Sequence, residues 1–226
     1  MFIYSDVKGR EIMFQLFDAL IMTLGFEPGP LIRSIASYNL RTGASIIIFT
    51  PSFKDERADR AYLEFKRICD MILKDTSINF QKVEVDLADF VKAVRYVKIM
   101  LSKFVDRHVA FCFSGGMRAL SFAVFVAYLL LEWRHRPAIE VHLEGRSERL
   151  TVPPLNEIIK ISITKEKLNI LQLILQHGKL SAGNIAVLMQ KDRSTIYRHL
   201  VSLLEDGLIR QKGKVYELTD LGLMLI

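Results

Sequence analysis

The stretch that decides the fold of this chain is Phe111-Cys112-Phe113-Ser114-Gly115-Gly116-Met117-Arg118. Its apolar beginning is typical of a buried strand, and the apolar run that follows Arg118 is typical of a buried helix. The glycines of the turn let the backbone approach a ligand, and the first amides of a helix have no partner within the helix. Together with the helix dipole and the charge of Arg118, this turn predicts a small binding site for an anion.

Strand-like and helix-like patterns alternate on both sides of this stretch, from Ala19 to Leu143. Such alternation is the signature of βαβ units, and it predicts an α/β fold with a Rossmann-like parallel sheet and a C-terminal hairpin. A turn at Thr42-Gly43 is expected to separate the first helix from the second strand. The predicted elements are strands 19–23, 44–49, 80–85 and 108–113, helices 30–38, 54–73, 89–104 and 117–135, and a hairpin of strands 138–143 and 149–152 around the turn 144–147.

Two further loops follow predicted strands, Thr23-Leu24-Gly25-Phe26 and Thr50-Pro51-Ser52. Because ligands bind open parallel sheets at the carboxyl ends of strands, the three loops are expected to converge on one crevice. A glycine turn after a strand can also serve packing alone, so both roles stay open. The chain has neither GxGxxG nor GxxxxGK[ST], so no dinucleotide cofactor or NTPase site is indicated. The candidate ligand-binding residues are Thr23, Leu24, Gly25, Phe26, Thr50, Ser52, Ser114, Gly115, Gly116, Met117 and Arg118.

The last third of the chain predicts three helices and a basic hairpin. Thr164, Ser181 and Asp192 are each placed to cap a helix, and Lys212-Gly213-Lys214 makes a tight turn between two short strands. This order is that of a winged helix-turn-helix domain, in which one helix reads base edges while the wing reaches phosphates. Two alternatives stay open, because such a domain can serve protein contacts and Tyr197 can pack inside it. The candidate DNA-binding residues are Lys191, Arg193, Ser194, Thr195, Tyr197, Arg198, Lys212 and Lys214.

A length of 226 residues fits one large or two ordinary domains, and a composition of 50% apolar and 25% charged residues fits a soluble globular chain. We predict a ligand-sensing domain over residues 1–154, of which 1–17 are an extension before its expected start. A linker over 155–163 and the winged domain over 164–226 follow. The net charge of +6 favours a polyanionic partner. Residues 163–226 carry 9 Lys and Arg against 6 Asp and Glu, so the smaller domain is the more basic per residue.

Cysteine usage and hydropathy predict a cytoplasmic location for the chain. Cys69 and Cys112 stand apart in apolar segments, which predicts buried thiols rather than a disulfide framework or a metal site. The longest apolar run, residues 119–131, is shorter than the roughly 20 residues that a membrane span needs. No secretion signal is recognised at the N-terminus. We therefore expect a cytoplasmic protein without a membrane contact and without a cofactor.

In these motifs the chain resembles the archaeal CRISPR-associated transcription regulators that join a CARF domain (CRISPR-associated Rossmann fold) to a C-terminal winged helix-turn-helix domain. The resemblance is carried by residues 23–26, by residues 114–118 and by the module from Thr164 onward. It implies a homodimer whose two pockets meet at the two-fold axis and bind a cyclic oligoadenylate, above all cyclic tetra-adenylate. It also implies control of CRISPR genes or arrays. Many CARF domains have Asp where this chain has Cys112.

Two other functions stay open at this point. Some CARF domains cleave the ring that they bind, and Ser114 and Arg118 could position a phosphate for such a reaction. No base is evident nearby, because His108 begins the strand and both His135 and His142 are expected to be structural or solvated, so we expect no enzyme. The second alternative is a winged-helix regulator that senses another phosphorylated metabolite.

Overall fold

The computed structural model of the chain describes residues 15–53, 55–73, 77–143 and 148–226. The chain forms two compact units, which divide between Asn156 and Glu157. The predicted hairpin turn, residues 144–147, lies outside the described residues, and so do residues 1–14 of the predicted extension.

The first unit is built on a single sheet with the strand order β3-β2-β1-β4-β5-β6. Strands β1 to β5 run parallel to one another, and β6 runs antiparallel to β5 at one edge of the sheet. The fold is therefore the Rossmann-like α/β sheet with a final hairpin that the sequence predicts. Its elements are β1 (Leu16–Thr23), α1 (Gly29–Ser37), β2 (Asn39–Pro51), α2 (Glu56–Ile72), β3 (Asn79–Val85), α3 (Phe90–Leu101), β4 (Val109–Cys112), α4 (Arg118–Leu129), β5 (Ala138–His142) and β6 (Arg149–Val152). The short helix α5 (Leu155–Ile158) spans the division between the two units.

Apolar side chains on both faces of the sheet form the core. On one face Ile21 and Phe111 pack in a cluster with residues of α3 and α4, and on the other Met22 and Cys112 pack with residues of α1 and α2. Burial on both faces explains why these strands are apolar without alternation. Since β1 lies between β2 and β4, the strand order reverses there, and the carboxyl ends of strands at such a reversal are where open α/β sheets bind ligands.

The turn predicted at Thr42-Gly43 is wrong, because both residues lie inside β2. Phe17 pairs with Leu40 but Ala19 pairs with Ser45, so β2 holds extra residues in a bulge. Gly43 has a φ of +80°, a conformation that glycine adopts without strain and that lets the strand continue past the bulge.

Two element ends also differ from the prediction. Phe17, which the sequence assigned to the extension, is fully buried in β1 and packs edge-on against Tyr38, with ring centroids 5.0 Å apart. Helix α4 ends at Leu129 rather than near residue 135. The Trp133 indole N–H donates to the Tyr128 carbonyl at 3.0 Å and so satisfies one of the carbonyls that the end of the helix leaves without an intrahelical partner.

The second unit contains the predicted helices and hairpin around a core that includes Ile174, Ile196 and Leu200. Its small antiparallel sheet has the order β7-β9-β8. Thr164 and Ser181 cap their helices by accepting from backbone amides, as predicted, whereas Asp192 makes no such bond. The elements are α6 (Lys165–His177), β7 (Leu180–Ser181), α7 (Ala182–Met189), α8 (Arg193–Glu205), β8 (Ile209–Lys212), β9 (Val215–Leu218) and α9 (Asp220–Met224).

Within the part of the chain that the structure describes, no helix is both long enough and apolar enough to cross a membrane. Cys69 and Cys112 are both free and buried, as the sequence predicts.

Glu217, on β9, holds three cations at the base of the hairpin. Its carboxylate accepts from Lys179 at 3.1 Å, Arg210 at 2.5 Å and Lys212 at 2.9 Å. These hydrogen bonds lower the pKa of Glu217 to about 2, from an ordinary value of 4.5. The ionised carboxylate is therefore the form that the folded unit stabilises.

We expect Glu217→Gln to destabilise the second unit near neutral pH, because the amide loses the charge that the three cations bind. The expected loss is only about 1–2 kcal/mol, because the three cations are half-exposed and water screens their charges. Since the folded pKa lies below the unfolded one, the stabilisation is complete above about pH 4.5 and is lost as the pH falls toward about 2. Urea titration of the full chain, followed by methyl NMR of the second unit, measures this difference. Glu205→Gln, at an exposed carboxylate of α8, is the control. A difference between wild type and Glu217→Gln that does not shrink in acid would contradict the assignment.

Candidate functional site

We call the loop between β4 and α4, residues 113–117, the pocket loop. It packs directly on the loop that follows β1. A Cβ atom on Gly115 would lie 2.9 Å from the Thr23 carbonyl oxygen, and one on Gly25 would lie 2.8 Å from the Gly116 nitrogen. Gly116 also has a φ of +95°. The glycines are therefore required for packing of backbone against backbone, and that packing brings the two predicted ligand loops side by side.

Three predicted ligand-binding side chains are buried inside the unit. Thr23 donates its hydroxyl to the Gly115 carbonyl at 2.5 Å and lies 3.0 Å from the Ser121 hydroxyl. Leu24 is part of the core on the α1 and α2 face. Thr50 is buried, and within the described residues its hydroxyl has no hydrogen-bond partner. The side chains of Thr23 and Leu24 hold the loops in place from beneath.

Four predicted ligand-binding side chains are exposed at the carboxyl edge of the sheet, namely Phe26, Ser52, Met117 and Arg118. Arg118 is the first residue of α4, where backbone amides have no intrahelical partner. Among the described residues, Arg118 makes no hydrogen bond or ion pair. Its guanidinium is available to an anion at the helix N-terminus, where the helix dipole adds partial positive charge.

Arg57 and Phe53 are site candidates that the sequence reasoning missed. The Arg57 guanidinium carbon lies 4.2 Å from the centroid of the Phe26 ring, within the range of a cation–π contact. Arg57 also bonds Asp55, which lowers the pKa of that carboxyl. Phe53 is exposed in the loop after β2. The available signal was position, since Phe53 comes directly after Ser52 and Arg57 lies in the first turn of the helix that follows β2.

A chain of buried polar groups lies beneath the pocket loop. Ser34 donates to the Cys112 thiol at 3.0 Å, and that thiol donates to the Ser114 hydroxyl at 3.2 Å. The Ser114 oxygen lies 3.0 Å from His142 Nδ1, and His142 Nε2 lies 3.3 Å from a carboxylate oxygen of Glu140. Burial raises the pKa of the Cys112 thiol, so this thiol is neutral. His142, which the sequence treats as structural or solvated, thus contacts a residue of the pocket loop.

The candidate DNA-binding side chains lie on α8, on the β8–β9 hairpin and, for Lys191, in the turn before α8. Tyr197 is 56% exposed, so it does not pack inside the unit. Arg198 Nη2 lies 3.5 Å from the Thr195 hydroxyl, and Arg193 lies against Gly183 of α7. Lys212 is paired with Glu217. The remaining candidates, all exposed, are Lys191, Ser194 and Lys214.

Comparison with solved structures finds, among others, two proteins with little sequence identity to this chain. Can2 from Sulfobacillus thermosulfidooxidans, in complex with cyclic tetra-adenylate, is 16% identical with a TM-score of 0.40, over 90% of this chain and 61% of that one. Enterococcus italicus Csm6, bound to cyclic hexa-2′-fluoro-hexa-dAMP, is 11% identical with a TM-score of 0.46, over 86% and 56%. The chain spans less than two thirds of the length of either protein. Likeness at this level supports no statement about what this chain binds.

Family models match both units. Residues 156–225 match the N-terminal domain of the methanogenesis regulatory protein FilR1. No curated protein matches the chain. Residues 18–153, which run from β1 through β6, match the model named Csa3 CRISPR-associated Rossmann-like domain. Because this match covers more than half of the chain and the whole parallel sheet, the chain belongs to the Csa3 family of proteins with a CRISPR-associated Rossmann-like domain.

Proposed function

We propose that the chain is a ligand-responsive transcription regulator of CRISPR genes or arrays. It binds DNA through residues 164–226, a winged helix-turn-helix domain, and a cyclic oligoadenylate in the crevice at the carboxyl ends of β1, β2 and β4. The observation that carries the proposal is the exposed Arg118 at the N-terminus of α4, beside a glycine loop packed on the loop after β1, in a CRISPR-associated family. In this proposal the ring is bound and not cleaved.

The chemistry of the crevice suits a phosphate ligand that carries aromatic bases. Phosphates are bound by outward backbone amides and by arginine, which the pocket loop and Arg118 supply. Adenine bases stack on exposed aromatic rings and on guanidinium planes, which Phe26, Phe53 and Arg57 supply. Cyclic tetra-adenylate, with four phosphates and four adenines, is the cyclic oligoadenylate that we propose first.

A homodimer is the second part of the proposal. Helices α3 and α4 expose adjacent apolar side chains, among them Val91, which is 76% exposed, and Phe122, which is 58% exposed. The Phe90 and Phe122 rings stack across the two helices, with centroids 5.6 Å apart. Met117 and Arg118, at the N-terminal end of the same helix α4, are also exposed. A second copy that covers it across a two-fold axis would bring two pockets together, as a ring of phosphates requires.

We expect Phe122→Glu to convert the dimer into a monomer, because a carboxylate would be buried in the apolar interface. Analytical ultracentrifugation over a range of protein concentrations measures the change, expected as a more than tenfold weaker dimer. Leu63→Glu is the matched control, since Leu63 is similarly exposed but lies on α2, on the other face of the sheet. A wild-type monomer, or equal effects of both variants, would contradict this interface.

DNA binding is the third part of the proposal. Helix α8 presents Arg193, Ser194 and Arg198 to solvent, and Lys214 lies in the exposed turn of the hairpin. A recognition helix reads base edges with exposed side chains near its N-terminus, and a basic wing contacts phosphates. The match of residues 156–225 to a domain of a regulatory protein supports this part.

Calorimetric titration of the full chain with cyclic tetra-adenylate tests the proposed ligand. Saturation at one ring per two chains, with the ring intact by chromatography afterwards, is the expected result. Detection of linear products would show that the protein cleaves the ring, and the proposed function would then be that of a ring nuclease. If neither heat nor cleavage is observed, the remaining proposal is a winged-helix regulator that senses another phosphorylated ligand. Binding of mononucleotides with a stoichiometry of one per chain would support that proposal.

A further inference from the structure

The hydroxyl oxygen of Ser114 already accepts two hydrogen bonds from beneath the pocket loop. The His142 backbone N–H donates to it at 2.7 Å, and the Cys112 thiol donates at 3.2 Å. A hydroxyl has two lone pairs and one proton, so only the Ser114 proton remains to be assigned.

The imidazole of His142 determines where that proton points. The ring is buried, with its side chain 4% exposed, and its Nε2 lies 3.3 Å from a Glu140 oxygen. Because an ionised carboxylate only accepts hydrogen bonds, the proton of the neutral ring lies on Nε2, and Nδ1 is left as an acceptor. Nδ1 lies 3.0 Å from the Ser114 oxygen and takes its proton. In this state Ser114 has no proton to donate to a ligand.

We propose that His142, held by Glu140, is a positioning residue for the ligand pocket, and that its protonation turns the Ser114 hydroxyl toward a bound phosphate. This proposal rests on the proposed function. When His142 takes a proton from solvent, Nδ1–H donates to the Ser114 oxygen in place of the weak Cys112 thiol donor. The Ser114 proton is then released to the ligand. Each pocket takes up one proton as it binds a phosphate.

The Glu140 carboxylate and the Ser34 hydroxyl lie close to the His142 ring. The carboxylate, on the same strand, lies 3.3 Å from Nε2, and the hydroxyl, on α1, lies 3.5 Å from Nδ1. The Cys112 thiol of β4 bonds both Ser34 and Ser114. Arg149 is the register partner of His142 on β6. Glu140 is buried and favours the protonated ring. The Cys112 thiol stays neutral because burial raises its pKa, so it does not titrate together with the histidine. A bound phosphate adds a second negative charge that favours protonation.

Histidine ¹⁵N NMR of the ligand-free full chain tests the resting state. We expect the Nε2–H tautomer for His142 near neutral pH, and a changed titration of His142 in Ser114→Ala, because the alanine variant removes the group that bonds Nδ1. An Nδ1–H tautomer, or a titration that Ser114→Ala leaves unchanged, would overturn the proposal. This readout does not depend on the identity of the ligand.

Ligand binding tests the coupling. We expect the affinity for cyclic tetra-adenylate to rise about tenfold as the pH falls from about 8 to about 6, with proton uptake seen by calorimetry in buffers of different ionisation enthalpy. His142→Gln is expected to abolish both effects. His108→Gln is the control, because His108 lies at the opposite end of β4. Equal pH profiles of binding in wild type and His142→Gln would refute the coupling. A failure of the wild type to bind the ring at any pH would instead refute the proposed function, and the NMR experiment would then decide the role of His142.

Discussion

Arg118→Ala is expected to weaken the binding of cyclic tetra-adenylate by about a hundredfold or more without unfolding the chain. Each charge-assisted hydrogen bond between arginine and phosphate contributes about 1.5–3 kcal/mol, and a dimer presents two copies to one ring. Arg118 is exposed and, among the described residues, has no protein partner, so its removal leaves no buried charge behind. Calorimetric titration measures the affinity, and thermal unfolding checks the fold.

Two further variants make this test specific. Arg118→Lys keeps the charge but loses the planar fork that binds two phosphate oxygens, so we expect an intermediate affinity. Arg67→Ala removes an exposed arginine from α2 and controls for net charge. If Arg118→Ala and Arg67→Ala bind the ring equally well, Arg118 does not belong to the ligand site.

Arg198→Ala is expected to lose discrimination between DNA sequences, by about 1–3 kcal/mol at the base pair that it reads. An arginine that contacts base edges carries sequence information, and Arg198 is exposed on α8 next to Thr195. Lys214→Ala, in the hairpin turn, is expected to weaken all sequences alike and to reduce the slope of log K against log salt by about one.

Fluorescence anisotropy with specific and unrelated duplexes, at several salt concentrations, separates these two effects. Lys165→Ala, at the start of α6, is a control of equal charge at another exposed position. If Arg198→Ala weakens specific and unrelated duplexes by the same factor, the division into base and phosphate contacts is wrong. If wild type binds no duplex at low salt, the proposal that the second unit binds DNA is wrong.

Local chemistry was sufficient to predict most elements of the fold. Residues 46–48 are three isoleucines in a row, which indicates a strand covered on both faces, and all three are buried in β2. A helix was predicted to begin at Asp89, whose side chain accepts from the Lys92 amide at the start of α3. Such features depend on side chains within a few residues of each other, so they can be recognised without the rest of the fold.

The bulge in β2 could not be predicted in this way. Thr42-Gly43 has the local chemistry of a turn, and a glycine at a φ of +80° is compatible with a turn or with a bulge. The pairing of Leu40 with Phe17 on β1 keeps the segment in the sheet. That pairing partner lies in a segment to which the sequence pattern assigned no strand.

The candidate pocket likewise has features that the sequence predicts and features that only the structure reveals. By itself the sequence determined the parallel sheet, the turn of Ser114, Gly115 and Gly116, and the cation at the start of the next helix, because these follow from residues adjacent in the chain. Only the tertiary structure decided that Thr23 supports the pocket loop from beneath and that His142 bonds Ser114. The physical reason is that hydrogen bonds join groups close in space. The buried polar chain links residues as far apart as Ser34 and His142, and their proximity exists only once the sheet has formed.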